Sequence, residues 1–285
     1  MTMRLGVIEY LDLSRDGDVT EKRRKAFEGS LVADRLGYHR LWVPEHHGIG
    51  SPSTNPLSLV PVLGSHTSRI RVGAAVTLLR LRDPHLTAED LTTAAVFCGE
   101  RLDVGLGRGG VAGPGTDVLL SQQKDDEKLD RALRDLVEAL ESGSELVEPL
   151  GVPYEGWLHG AGHRSAVLAA ELGWNYCHAL FLNSDVDACA ATLRAFRESS
   201  SSGTAAVAIA LAVNNDPSKA AVDARRQPFA VTAGTPRECA ETVWNVRRMT
   251  GADEVVIAEV SRDAGDHRRA LKEIFAAVMD TPHGV

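Results

Sequence analysis

The chain has 285 residues, enough for one (β/α)8 barrel, which typically takes roughly 250, although length alone also admits two smaller domains. Hydrophobic residues make up 44% and charged residues 25%, an ordinary globular balance, and the formal net charge of -8 disfavours a nucleic-acid backbone as partner. No stretch reaches the ~20 apolar residues that span a bilayer, and Met1 to Tyr10 lacks a signal-peptide pattern, so a soluble cytoplasmic protein without a membrane partner is expected.

Short apolar runs alternate with helical patterns. Leu5 to Tyr10 reads as a first strand. Ala26, Ser30, Ala33 and Gly37 then share a helix face narrow enough to pack on a sheet, with Gly37 ending the helix. Arg40 to Glu45 is a second strand, and Ile70 to Thr77 a third whose mostly apolar run suits burial on both sides. Thr87 and Asp90 have capping-box-like spacing and predict a helix start reaching to about Cys98. Leu102 to Gly107 is a fourth strand. Asp125 to Glu141 is an amphipathic helix through Leu129, Leu133, Leu136 and Leu140.

Gly156 to Gly160 is a short fifth strand, followed by a helix from Arg164 to Leu172 that Gly173 stops. Asn175 to Leu182 is a sixth strand, Asp185 to Glu198 a helix, and Ala206 to Val213 a seventh strand. Thr235, Pro236 and Glu238 form a capping box with proline at the first helical position. Glu254 to Val260 is an eighth strand, and a last helix carries Leu271, Ile274, Phe275 and Val278. Residues 109–124 and 214–233 read as loop-rich. Eight strands with intervening helices predict one α/β domain over residues 1–285, a parallel (β/α)8 barrel in preference to an open sheet. The scattered cysteines, Cys98, Cys177, Cys189 and Cys239, fit buried reduced thiols better than a disulfide frame or a zinc site.

A barrel carries its chemistry at the carboxyl ends of its strands. Strand two ends in Glu45-His46-His47, a pair of histidines suited to proton transfer or, equally, to structural hydrogen bonding. A metal is disfavoured because no third ligand stands at a suitable spacing. Strand four ends in Gly107-Arg108-Gly109, where a guanidinium can grip a phosphate or pair with a carboxylate such as Asp103. Strand five ends in Gly160-Ala161-Gly162-His163-Arg164-Ser165, just before a helix, where small residues and a helix N-terminus favour an anion. Ala233-Gly234-Thr235 is a rival turn of the same kind. The residues alone do not choose between the two.

Leu36 to Gly48 (LGYHRLWVPEHHG), Arg69 to Val76 (RIRVGAAV), Gly99 to Gly109 (GERLDVGLGRG), Trp157 to Gly162 (WLHGAG), Gly234-Thr235-Pro236 and Thr250 to Glu254 (TGADE) appear in the order seen in the bacterial luciferase-like flavin monooxygenases. The chain resembles that family, and most of all its short-chain subgroup associated with antibiotic-biosynthesis tailoring. The resemblance implies an FMNH2-dependent monooxygenase fed by a separate flavin reductase, acting with O2 on a small organic substrate, and a homodimer. It implies His46 as the catalytic histidine. It implies Arg108, Gly160, Ala161, Gly162 and Ser165 around the phosphate of FMN, and Ala74 and Ala75 against its ring, where the family often has a non-proline cis peptide. An F420-dependent oxidoreductase and a non-catalytic flavin-binding or partner subunit are the alternatives. Two departures stand out. Leu79 to Pro84 replaces the family's usual pair after strand three, with Arg80 and Arg82 read as contacts to an anionic ligand or, in preference, as surface charge. The segments before strand five and after strand seven, the latter commonly a lid, look short.

Overall fold

A computed structural model describes residues 3–107, 119, 125–200 and 202–281. Its elements in chain order are β1 (Arg4–Ile8), α1 (Val19–Leu36), β2 (Arg40–Val43), α2 (Pro56–His66), β3 (Arg71–Ala74), α3 (Pro84–Cys98), β4 (Leu102–Gly107) and α4 (Asp126–Ser142). They continue as β5 (Glu155–Gly160), α5 (His163–Glu171), β6 (Asn175–Ala179), α6 (Val186–Ser199), β7 (Ala205–Val213), α7 (Pro217–Arg225), β8 (Thr232–Gly234), α8 (Pro236–Thr250), β9 (Glu254–Glu259) and α9 (Ala264–Asp280).

Every strand pairing is parallel, and β1 to β7 with β9 close into a ring through the β1–β9, β9–β7 and β7–β6 ladders. This is the predicted (β/α)8 barrel, with β9 as its eighth strand. The extra strand, β8, pairs with the upper end of β7 at Leu211–Val213, beyond the reach of β6. The segment 214–233, expected to be loop, thus holds α7 and most of β8; Asp216 caps α7, with Pro217 opening it. Helix α3 starts earlier than the spacing of Thr87 and Asp90 predicts. Asp83 is its N-cap, accepting from the amides of His85 and Leu86, and Pro84 opens it, while the Thr87 hydroxyl only bonds back to the Asp83 carbonyl. Gly37 ends α1 at φ 94°, a left-handed cap that other residues seldom adopt. The four cysteines are buried and free of disulfides. Among the described residues no helix is long and apolar enough to cross a membrane.

Side chains alternate between two apolar layers. Leu5, Val7, Leu41, Val43, Val72, Val104 and Ile257 face outward into the shell under the helices. Ile8, Trp42, Trp157, Cys177, Ala206, Ala208, Ala210, Val256 and Ala258 fill the barrel itself. Its floor is charged. Arg40, at 1% exposure, pairs with Asp103, with Glu254 at 2.8 Å and with Glu155 at 3.1 Å, while Arg71 also holds Asp103 at 2.7 Å. Above it the Arg40 guanidinium lies over Trp157 at 4.3 Å and Trp42 at 5.6 Å. Toward the carboxyl ends the inward positions other than His159 become small (Ala75, Gly107, Ala179, Ala210, Ala258), so the barrel is plugged below and roomier at its mouth.

Candidate functional site

The mouth is built from the ends of β2, β3, β5 and β6. After β2, Glu45 is buried and fully engaged. It accepts the Leu78 amide at 2.9 Å, pairs with Arg82 at 3.0 Å, and meets His47 Nε2 at 2.9 Å. It therefore ties the segment after β2 to the segment after β3. Among the described residues no group of three or more His, Cys, Asp or Glu is arranged to hold a metal ion.

His46 has its backbone clamped on both sides. Its amide donates to the Ser53 carbonyl at 2.9 Å, and its carbonyl accepts from the Ser51 hydroxyl at 2.7 Å. Its ring is left over, with Nδ1 buried and without a hydrogen-bond partner among the described residues. Burial pushes its pKa down to about 4, the neighbouring His47 adding to the effect and Glu45 opposing it. His46 is thus a neutral imidazole, able to accept or donate a proton without a standing charge.

The strand-three residues divide. Ala75 packs on the barrel interior, whereas Ala74 is buried in the outer shell. The Ala75–Val76 peptide bond is cis, at the strand end where the resemblance implied one. The Gly-Leu-Gly of β4 makes room for this bend. A Cβ on Gly105 would lie 1.8 Å from the Ala74 carbonyl oxygen, and one on Gly107 2.8 Å from the Val76 side chain. Arg108 falls outside the described residues; Asp103 is held by Arg40 and Arg71 at the floor of the barrel.

The two candidate phosphate turns differ in their free donors. At the head of α8, Glu238 accepts from both the Thr235 amide and hydroxyl at 2.8 Å, and the Thr235 hydroxyl accepts the Glu238 amide, so the turn caps itself. At the head of α5 the cap is Gly162, with no side-chain cap at all. Among the described residues no side chain caps this helix end, which is the arrangement that lets a helix N-terminus receive an anion. Gly160 lies against Ser165, where a Cβ would sit 2.7 Å from the hydroxyl oxygen. Arg164 turns away to Asp126 and Asp130, at 2.5 and 3.1 Å. From beneath, the Tyr176 hydroxyl donates to the Gly162 carbonyl at 3.3 Å and lies 3.2 Å from His178 Nδ1. Sequence reasoning missed this support, whose signal was a tyrosine and a histidine two apart in β6 on the face opposite Cys177.

Arg80 and Arg82 are not plain surface charge as expected. They are partly buried and paired with Asp126 at 2.7 Å and Glu45 at 3.0 Å. The segment after β7 straps part of the mouth. Gln227 bridges to the Leu13 amide and to Asp12, both at 3.0 Å, and Arg226 reaches Asp16 at 3.1 Å. At the other side Ala230 donates to the Phe181 carbonyl at 3.1 Å, and Phe229 meets Phe181 with ring centroids 5.4 Å apart. A cavity of about 760 Å³ lies at the amino end of the barrel beside Arg4, His39 and Arg247, away from all of these groups.

Residues 3–280 match the luciferase-like monooxygenase family. The uncharacterized protein YvbT of Bacillus subtilis is 32% identical over 196 residues, 61% of this chain and 54% of that protein. A luciferase-like monooxygenase of Escherichia coli K12 is 31% identical over 174 residues, 55% of this chain and 50% of that protein. The chain thus spans about half the length of these curated relatives. Two solved structures show the same fold. One is apo-MsnO8, with a TM-score of 0.84 at 23% identity, covering 99% of this chain and 100% of that one. The other is the oxygenating constituent of 3,6-diketocamphane monooxygenase from Pseudomonas putida in complex with FMN, with a TM-score of 0.78 at 14% identity, covering 97% and 98%. An F420-dependent secondary alcohol dehydrogenase follows at a TM-score of 0.75 and 16% identity, over 98% and 100%. The barrel with its small-lined mouth is therefore that of a member of the luciferase-like monooxygenase family, to which this chain belongs.

Proposed function

We propose that the chain is an FMNH2-dependent monooxygenase, supplied with reduced flavin by a separate reductase in the cytoplasm and oxidising a small organic molecule, such as a secondary metabolite, with O2. The observation that carries this reading is the uncapped head of α5 at the rim of a barrel mouth lined by small residues. The turn from Gly160 to Ser165 offers backbone amides and a hydroxyl to a phosphate, and Arg108, next in sequence after β4, is the cation assigned to the same group. Bound there, reduced FMN would supply the electrons that activate oxygen. The chain's own residues do the remainder. Ala75 and the alanines of β6, β7 and β9 leave space for a flat ring. The strap from Arg226 to Val231 and the Phe181–Phe229 contact keep water from part of the mouth. His46, neutral and with its backbone clamped, exchanges a proton with the reacting ligand.

F420 is the second reading, favoured by the likeness to the F420-dependent dehydrogenase, because it too carries a phosphate and a flat redox ring. A homodimer is supported by exposed Val62 on α2 and Leu86, Val96 and Phe97 on α3.

Anaerobic titration with reduced FMN and, separately, reduced F420 tests the reading, with oxygen admitted afterwards while spectra are recorded. Tight FMNH2 binding with an oxidation course unlike that of free flavin supports the monooxygenase. Binding of F420 alone moves the chain to the second reading. Arg108→Ala weakens FMN binding, and Ser165→Asp, which sets a carboxylate where the phosphate belongs, lowers affinity by at least about tenfold, roughly one charge-assisted hydrogen bond. Unchanged affinity in both variants would sink the phosphate assignment.

A further inference from the structure

His159 is the penultimate residue of β5, and its ring lies inside the barrel. It stands edge-on to Trp42, with ring centroids 4.7 Å apart and an interplanar angle of 87°, and tilts over Trp157 at 6.4 Å. Strand register places it between Gly107 of β4 and Cys177 of β6. Gly107 has no side chain, and Cys177 is a buried thiol, so neither neighbour offers a good partner. Nε2 of His159 is buried and makes no hydrogen bond among the described residues. Burial, with Arg40 adding to it, pushes the ring's pKa down to about 3, so the group is neutral in use.

A buried polar atom without a partner is a cost that folding alone gives no reason to accept. Leucine would fill the same space against Trp42 without it. The apolar rings of Trp42 and Trp157 lie against His159, whereas two residues on, at Ala161, the chain enters the turn at the head of α5. The missing partner is therefore sought on the mouth side.

We propose that His159 hydrogen-bonds the bound cofactor, through Nε2, at a polar group lying between its phosphate and its redox ring or on the ring's own edge. This rests on the flavin-type reading of the site and adds to it. The α5 turn addresses the phosphate, His46 the reacting ligand, and His159 a third, phosphate-independent point. A sugar-alcohol chain or a ring carbonyl or N–H satisfies the requirement, because a neutral imidazole nitrogen either accepts or donates.

The test measures affinity of the full chain for reduced FMN and for riboflavin, which lacks the phosphate, under anaerobic conditions. It also records the visible spectrum of bound oxidised FMN. His159→Leu is expected to weaken both ligands roughly tenfold, the effect of one buried hydrogen bond, and to shift the bound spectrum. His159→Gln, which can reach the Nε2 position, restores most of the affinity, while the shorter His159→Asn does not. The Gln and Asn pair keeps the test decisive should the Leu variant fold poorly. Equal binding by wild type and His159→Leu with identical spectra overturns the inference and leaves the cofactor reading intact. A loss seen with FMN but not riboflavin also overturns it, because the effect would then pass through the phosphate turn. If the wild type binds neither FMN, riboflavin nor F420, the cofactor reading itself fails, and this inference with it.

Discussion

His46 and His159 show one residue type under one constraint from two strands. Each has a buried ring nitrogen without a partner among the described residues, and burial holds each pKa far below the ordinary histidine value near 6.5. The sign follows directly. A histidine whose folded pKa is depressed disfavours the folded state as pH falls from the unfolded value toward the folded one, so acid, not neutral pH, is where these rings matter. Titrating the histidine ring signals by NMR is expected to show His46 neutral throughout the range from about pH 5 to pH 8. A His46 inflection near 6.5 would remove burial as the cause and reopen its role. His46 was legible in the sequence because it stands in a run with Glu45 and His47 at a strand end. His159 was not, although it shares the inward parity of Trp157, because a single histidine in a short strand gives no hint that its neighbours in space are a glycine and a cysteine.

At the scale of elements, the bend at the end of β3 and the glycines of β4 form one device. Gly105 has the Ala74 carbonyl where a methyl group would go, and backbone gives way less readily than a side chain. Gly105→Ala is therefore expected to destabilise the protein by about 3 kcal/mol or prevent folding, the upper part of the range for overpacking. A thermal melt checks this, and a melting temperature within a degree or so of wild type would contradict it. The Gly-x-Gly spacing was visible in the sequence, but its reason was not, since it lies in another strand's carbonyl. Element order was largely legible because burial on two faces writes long apolar runs for strands and capping residues for helices. Helix α2 left a weaker mark. It has Pro56 at its start, Pro61 inside and no side-chain cap, and it is held by packing against α3, where Gly64 meets Cys98. Likewise α7 and β8 lie in a segment whose polar composition reads as loop. They are fixed by pairing with the end of β7 and by distant residues such as Asp12 and Phe181.

Across the whole molecule, buried charge joins parts of the chain that are far apart in sequence. His267 at the head of α9 sits between Glu259 after β9's midpoint, 2.5 Å from Nδ1, and Glu9 just past β1, 3.0 Å from Nε2. Burial disfavours the charged ring, but the two carboxylates outweigh it and raise the pKa to about 9. A histidine with a raised folded pKa stabilises fully below its unfolded value near 6.5, and that stability is lost as pH climbs toward 9. Wild type is expected to lose on the order of 2–3 kcal/mol between about pH 6 and pH 9 by this linkage. His267→Gln, less stable at the lower pH, should show a flatter profile in denaturant unfolding. Parallel profiles for the two proteins would refute the assignment.

The plugged barrel has an optical consequence. Of the four tryptophans, Trp42 and Trp157 stand in the lumen directly below the mouth, while Trp174 belongs to the outer shell and Trp244 to the surface layer of α8. A yellow chromophore laid on the mouth absorbs where indole emits, so the two inner rings become donors in resonance energy transfer to it. If the mouth takes a flavin as proposed, the native chain carries its own emission gauge of occupancy. Trp42→Phe and Trp157→Phe variants would each retain ligand-dependent quenching from the remaining inner ring.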